Sequence, residues 1–510
     1  MTALHHLLIR LHPDDDVAIA RQRIPAGTPV DGTGIHTRTD IPAAHKVALR
    51  PLVAGQPVHK YGQIIGFARR AIRAGEHVHD HNLGFGDVRR QTAGTGRSRA
   101  VLPQPPPDLP RHFLGFVRED GRVGTRNHLG VIATVNCAAS ACRLIRERFP
   151  EELLRDHPSV DGIVAITHGT GCGMALDGEG FACLQRTLLG FLRHPNFAGV
   201  LLVGLGCETN QIRFLLEAQG IEPGPGLQTL TLQECGGTRR TVERGIAILR
   251  DMIAEAGRAR RVEVAASELV LALQCGGSDG YSGITANPAL GYASDLLIAQ
   301  GGTAILAETP EIYGAEHLLL ERAVSEEVAA KLLERIRWWE AYVARHGGSM
   351  DNNPTPGNKA GGLTTILEKS LGAVAKGGRA PLADVLLYAE PARTRGLLFM
   401  DSPGYDPCSV TGQVASGANL IAFTTGRGSC FGFKPVPSLK LASHSGLCRR
   451  MPDDMDINCG TLLDGEEDLE TLGRRIYRRL IALASGEPSC SERLGIGECE
   501  FVPWQLGAVM

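Results

Sequence analysis

From about residue 112 onward, uninterrupted apolar runs recur along the chain, and several lead into segments whose apolar residues return at helical spacing. GVIATVNC (130–137) precedes AASACRLIRERF, with Asn136 placed to cap a helix. The pattern returns at DGIVAITHGTGC (161–172), GVLLVGLGC (199–207), ELVLALQC (268–275), GGTAILAE (301–308), GLLFMDSPG (396–404) and LIAFTTGRG (420–428). Continuous apolar strands alternating with helices predict a parallel sheet covered on both faces. VSEEVAAKLLERIRWWEAYVARHGG (324–348) predicts a long amphipathic helix ended by glycine, with Trp338 and Trp339 used for packing.

The first 95 residues follow another rule. IPAGTPV (24–30), LVAGQPV (52–58) and IRAGEHV (72–78) form a pseudo-repeat, each a glycine turn leading into short strand-like segments. QTAGTGRSRAVLPQPPPDLP (91–110) is Gly/Ser/Arg-rich and then Pro-rich, which predicts an extended linker unable to join a core. The expected fold is α/β: a small β module at 1–95, a linker at 96–111, and two α/β domains with largely parallel sheets at 112–260 and 266–510. The charged, small-residue stretch EAGRARRVEVAAS sets the break before 266, and the polar DNNPTPGNKAGG (351–362) is a second candidate boundary.

Charge narrows the function. Lys+Arg 53 against Asp+Glu 55 leaves a net charge of -2, so no whole-chain basic field exists for nucleic acid or anionic lipid. Thirteen cysteines, an odd number without disulfide-framework spacing, point to a reducing cytoplasm. No secretory signal and no membrane-spanning run is read. Glycine is the outlier: 63 of 510 residues is about 12%, against an average near 7%, which implies many tight or ligand-hugging turns.

The reactive residues lie where the apolar runs end. In open α/β sheets that edge faces helix N-termini and binds ligands, anions above all. Asn136-Cys137, His168 to Cys172, Gly206-Cys207-Glu208, Cys275 to Asp279, Glu308, Asp401-Ser402 and Arg427 all sit there. Cys137, Cys172, Cys207 and Cys275 occupy equivalent places, which suits either thiolate ligation or small-residue packing beside a ligand. His77, His79 and His81 alternate, so an extended strand turns all three to one face. The backbone of CGGSDGYSGITANP (275–288) can form an anion nest, Asp279 can contact a hydroxyl or metal, and Arg427 has the fork that suits a carboxylate. No phosphate-loop signature occurs, and GLG or GTGCG alone is weak support for a nucleotide-dependent oxidoreductase.

Read together, GEHVHDHN (75–82), GRVGTRNH (121–128), HGTGCG (168–173), GLGCETNQ (204–211), CGGSDGYSGITANP (275–288), PGNKAGG (356–362) and TTGRG (424–428) resemble the altronate and galactarate dehydratase family over essentially the whole chain. The resemblance implies that the first 95 residues form an SAF-like (β-clip) domain, shared with antifreeze-like and flagellar chaperone modules. It further implies a hydro-lyase that dehydrates a sugar acid, an aldonate or aldarate, to a 2-keto-3-deoxy acid through an enediolate. The implied cofactor is a divalent metal, Fe(II) or Mn(II). Within that resemblance His168 and Lys359 are the expected acid/base pair and His79 and His81 the expected metal ligands. Arg126, Asn127, Asn210, Asp279, Glu308 and Arg427 are expected to hold substrate or metal. The expected partner is a small sugar acid; assembly as a homo-oligomer is an open option. Two alternatives stay open: a sulfo-lyase eliminating sulfite from sulfolactate, whose members usually carry the β module on a separate chain, and a non-catalytic sugar-acid or metal-binding protein.

Overall fold

The computed structural model describes residues 7–30, 33–86, 102–217 and 220–510. Every strand of the N-terminal module pairs antiparallel. Val17–Ala20 sits between Leu8–Ile9 and Lys46–Ala48, and the latter pairs with His77–Val78. The pseudo-repeat marks three equivalent turns, in which Gly27, Gly55 and Gly75 take left-handed φ values of 78°, 80° and 84°. These positions favour glycine because a Cβ is disfavoured there.

The next domain carries four parallel strands in the order Gly162–Ile166, His128–Ala133, Phe197–Gly204, Leu227–Thr231. The C-terminal domain has seven, all parallel: Leu382–Leu386, Gly396–Met400, Thr303–Ala307, Val270–Cys275, Leu420–Thr425, Ser438–Ala442 and Ile457–Asn458. Burial on both faces explains the unbroken apolar runs. Leu271, Leu273, Ala304, Leu306, Leu420 and Ala422 point into a core shared with the β module. Their alternates Ala272, Ile305, Ile421 and Phe423 point into a core shared with the second domain. The period of two therefore joins three domains through one sheet.

Helix Glu326–Arg345 forms as its pattern requires, capped by Ser325, which accepts from the Val328 N–H at 3.3 Å. Trp339 packs: its indole donates to Asp401 Oδ1 at 2.7 Å and stacks on Trp504 with centroids 5.4 Å apart. Among the described residues no helix is long and apolar enough to cross a membrane.

Three expectations need correction. Residues 96–101 of the expected linker lie outside the described set, but its end does join the core. Leu109 is 3% exposed within the main cluster, and the Pro110 carbonyl accepts from Tyr477 Oη at 2.9 Å. Asn136 is not a helix cap, because its side chain instead donates to the His168 carbonyl at 3.2 Å and ties two strand-end loops. The 351–362 segment is no boundary. Thr355 caps helix Pro356–Ala360 with a reciprocal Asn358 bond, and Asn358 also donates to the Ser278 carbonyl at 2.9 Å.

Candidate active site

A cavity of about 600 Å³ opens between the β module and the carboxyl ends of the C-terminal strands. Asp279 follows Val270–Cys275, Arg427 follows Leu420–Thr425, and His444, Arg449 and Arg450 follow Ser438–Ala442; the module adds Arg21 and Arg23. Five arginines against two aspartates, Asp279 and Asp464, leave the cavity wall net positive, which suits a small anion. A second cavity, about 590 Å³, lies at the opposite edge, where Val270, Thr303 and Asn419 begin or precede strands. The carboxyl-end rule selects the first.

Three imidazoles adjoin it. His45, His77 and His79 each offer a ring nitrogen within one 4.8 Å group. His45 Nδ1 lies 2.9 Å from His77 Nε2, while His45 Nε2 is 3.2 Å from the carbonyl of Ala360, a cavity residue. The pairing of Lys46–Ala48 with His77–Val78 creates this cluster, with Val47 opposite His77. Burial first, then neighbouring imidazoles, holds His77 down to about 3; burial and the Lys46 charge hold His79 down to about 4. Both are neutral at pH 7, as metal ligation requires. Nδ1 of His79 is buried without a partner, so this donor set fits a divalent ion. His81 is exposed and outside the group, its ring 5.4 Å from that of His77, because the strand ends at Val78 and the chain turns.

Behind the histidines, Glu368 accepts from Lys46 Nζ at 2.7 Å and Lys60 Nζ at 2.9 Å. All three side chains are at most 1% exposed. Burial pushes Lys46 down to about 8, although the Glu368 charge opposes that shift. This buried triad fixes the module, and with it the imidazoles, against the C-terminal domain.

The loop Cys275–Asp279 connects two regions. Gly277, at φ 61°, accepts from the Gly426 and Arg427 N–H groups at 3.1 and 2.8 Å. This places Asp279 beside Arg427 in the cavity wall. Asp279 accepts from Ser443 Oγ at 3.0 Å, and burial raises its pKa. At the other end Cys275 enters a buried cluster with Glu308 and Glu311. Lys376 Nζ lies 2.8 Å from the thiol sulfur, and Lys369 Nζ donates to Glu311 at 2.7 Å. Burial pushes the Cys275 thiol up to about 12. Glu308 has a left-handed φ of 74° and two buried carboxyl oxygens without partners; burial and the Glu311 charge raise its pKa well above the usual range. Burial also disfavours charge on Glu311, yet Lys369 and Lys376 outweigh that and keep it ionised.

The remaining expected residues divide by position. Lys359 is half-buried on helix Pro356–Ala360, whose last residue lines the cavity. Arg126 and Asn127 are not substrate groups: they precede strand His128–Ala133 and so lie at the wrong edge of the sheet. The Arg126 fork is consumed by Glu492, at 2.6 and 2.9 Å, and Asn127 donates to the Ser159 and Ala256 carbonyls. His168 is held by backbone on both nitrogens. Its Nε2 donates to the Ala133 carbonyl at 3.0 Å, Nδ1 accepts from the Thr170 N–H at 3.3 Å, and burial holds it down to about 4. It orients a loop and has no free nitrogen for substrate. Asn210 donates to the Thr134 carbonyl at 3.1 Å in that same loop group, with Cys137, Cys172 and Cys207 exposed around it. From the sequence, His45-Lys46 is either surface or part of the same site as the histidine triplet, and the structure puts His45 in that group; His444, Arg449, Arg450, Glu368 and Lys376 were left out. The arginine pair was findable, since it follows the apolar run SLKLA by the same strand-end rule. Glu368 and Lys376 were not, because Glu368 meets Lys46 and Lys60 across 322 and 308 residues and Lys376 meets Cys275 across 101.

Three family models match in order: Altronate/galactarate dehydratase SAF domain over residues 6–85, D-galactarate dehydratase/Altronate hydrolase second domain over 115–257, and D-galactarate/Altronate dehydratase C-terminal over 266–509. This chain belongs to the galactarate/altronate dehydratase family. An altronate dehydratase of Bacillus subtilis is 37% identical over 484 residues, covering 94% of this chain and 95% of that protein. The L-threo-forming galactarate dehydratase of Escherichia coli is 37% identical over 489 residues, 94% of this chain and 93% of its own. The beta subunit of a (2R)-sulfolactate sulfo-lyase from Chromohalobacter salexigens is 32% identical over 400 residues, 78% of this chain and 98% of the subunit. In this member of a hydro-lyase family the SAF-type module holds the three imidazoles next to the cavity, where His45 meets the Ala360 carbonyl.

Proposed function

We propose that the arginine-lined cavity binds a sugar acid, an aldonate such as altronate or an aldarate such as galactarate, and removes water from it to leave a 2-keto-3-deoxy acid. The observation that carries this reading is the meeting of five arginines with the three-histidine group at one strand-end cavity. Arg427 and its neighbours hold the carboxylate, and Asp279 orients a hydroxyl. Lys359, beside the cavity, takes the proton from the carbon next to the carboxylate. The electron pair then forms the carbon–carbon double bond as the 3-hydroxyl leaves with the proton that Lys359 has just taken, so C–H and C–O bonds break, water departs and the lysine returns to its starting state. The enol product becomes the ketone without the protein. A divalent ion, Fe(II) or Mn(II), held by His45, His77 and His79 would supply Lewis-acid stabilisation of the enediolate charge. Thirteen unpaired cysteines support placing this activity in a reducing cytoplasm.

The test is incubation of anaerobically purified protein, loaded with Fe(II) or Mn(II), with altronate, galactarate and sulfolactate, assaying 2-keto acid and sulfite. Release of 2-keto acid from a sugar acid is expected. No product from any sugar acid under either metal, or sulfite release alone, defeats the reading. Electron paramagnetic resonance titration of Mn(II) against His77→Ala and His79→Ala checks the ligands separately, and unchanged affinity in both removes them.

A further inference from the structure

Cys137, Cys172 and Cys207 take no part in the proposed dehydration, yet they share one place in the fold. Each follows the carboxyl end of a neighbouring parallel strand, His128–Ala133, Gly162–Ile166 and Phe197–Gly204, and each is exposed. Exposure is unusual for unpaired cysteine, which packs inward as a small hydrophobe. Here Cys142, Cys183 and Cys235 of the same domain do so.

The loops bearing the three thiols are built against one another. The Asn136 N–H donates to the Thr170 carbonyl at 3.0 Å, and the Asn210 N–H donates to the Gly171 carbonyl at 3.0 Å. Asn210 Nδ2 reaches the Thr134 carbonyl at 3.1 Å and leaves its Oδ1 buried without a partner. Glu208 accepts from the Leu205 N–H and the Thr134 hydroxyl at 3.1 and 2.8 Å, which stiffens the Cys207 loop from beneath. Gly171, at φ 101°, lies so near the Thr134 carbonyl that a Cβ would collide with it. His168 spends both ring nitrogens holding this arrangement. So much internal bracing around three outward thiols is what a rigid ligand set needs and what scattered surface cysteines lack.

Soft thiolates select zinc, copper(I) or iron–sulfur clusters. A single tetrahedral ion with metal–sulfur bonds of about 2.3 Å draws its sulfurs to within about 4 Å of each other. Among the described residues these thiols are not one of the groups whose ligand atoms all lie within 4.8 Å. Neighbouring strands are about 4.8 Å apart, so three successive strand ends span about 10 Å. That is the span of a polynuclear cluster with its ligands.

We propose that Cys137, Cys172 and Cys207 bind a cubane iron–sulfur cluster, with one iron left free of a cysteine from this set. The site is separate from the three imidazoles and does not depend on the sugar-acid reading.

The full chain, purified under nitrogen and reconstituted with ferric iron, sulfide and a dithiol that reduces half of the iron, is expected to show broad absorption near 400 nm and about four iron and four sulfide per chain. Cys137→Ser, Cys172→Ser and Cys207→Ser are each expected to cut cluster content by at least about tenfold while the thermal midpoint of the apo protein stays unchanged, since all three side chains are exposed. His77→Ala is expected to keep the cluster in full. Binding of one zinc per chain with no sulfide, full cluster content in any of the serine variants, or loss of the absorption in His77→Ala with retention in the serine variants would each overturn the proposal.

Discussion

The Lys46 ammonium meets the Glu368 carboxylate at 2.7 Å with neither side chain exposed, and this pair joins the β module to the C-terminal domain. Breaking a buried ion pair from one side leaves an uncompensated charge, at a cost of about 3–5 kcal/mol. Glu368→Gln strands two lysines and should lower the unfolding free energy by that amount in urea titration. It should also loosen the imidazole group and weaken Mn(II) binding. A loss below about 1 kcal/mol would mean that the triad does not anchor the module.

Arg427 stands beside Asp279 in the cavity wall. A charge-assisted hydrogen bond to a carboxylate contributes about 1.5–3 kcal/mol, so Arg427→Ala should raise KM by about 10-fold to 100-fold. Arg427→Lys should recover only part of this, because an ammonium cannot reproduce the two-pronged geometry. Steady-state kinetics on the accepted sugar acid measure both, and a KM equal to that of the parent excludes the contact.

His168 and His194 are buried, each held down to about 4 by burial, and His194 Nε2 donates to the Ala418 carbonyl at 3.0 Å. In the unfolded chain a histidine takes a proton near pH 6.5. Between about pH 6.5 and 4 the unfolded state therefore binds protons that the folded state refuses, and stability present above pH 6.5 is lost as the pH falls. Each group contributes about 3 kcal/mol to that slope. Urea midpoints at pH 7.5 and 4.5 should differ strongly, with a smaller difference in His194→Gln. His168→Gln should lower turnover less than tenfold when compared at equal folded fraction, which separates a loop-orienting group from an acid/base.

Helices Glu179–Leu192 and Asp406–Ala415 join the second and third domains where Gly190 touches the Ala415 backbone. A Cβ on Gly190 would collide with the Ala415 carbonyl oxygen, and both sides of the contact are backbone. Gly190→Ala should destabilise by about 1–3 kcal/mol, despite the higher helix propensity of alanine. A thermal midpoint at or above that of the parent would show that the helices can separate at no cost.

Much of the architecture was legible in the chain because its signals are local. Apolar runs long enough to be buried on both faces specify parallel strands, as Val270–Cys275 and Leu420–Thr425 show. The three AG turns specify the β module through the backbone freedom of glycine. Strand ends are likewise readable, and with them Asp279 and Arg427 as wall residues and His79 as part of an imidazole group. Partner choice was decided only in three dimensions. Pairing of Lys46–Ala48 with His77–Val78 replaced His81 by His45 in the histidine group, because strand register rather than sequence alternation sets which rings meet. Arg126 and Asn127 read as ligand residues until the sheet placed them at its amino edge, against Glu492, Ser159 and Ala256. His168 has the sequence context of a catalyst, and two backbone hydrogen bonds make it a brace. Local periodicity fixes what each segment becomes, while long-range packing fixes which polar atoms are satisfied by the protein and which remain to meet a ligand.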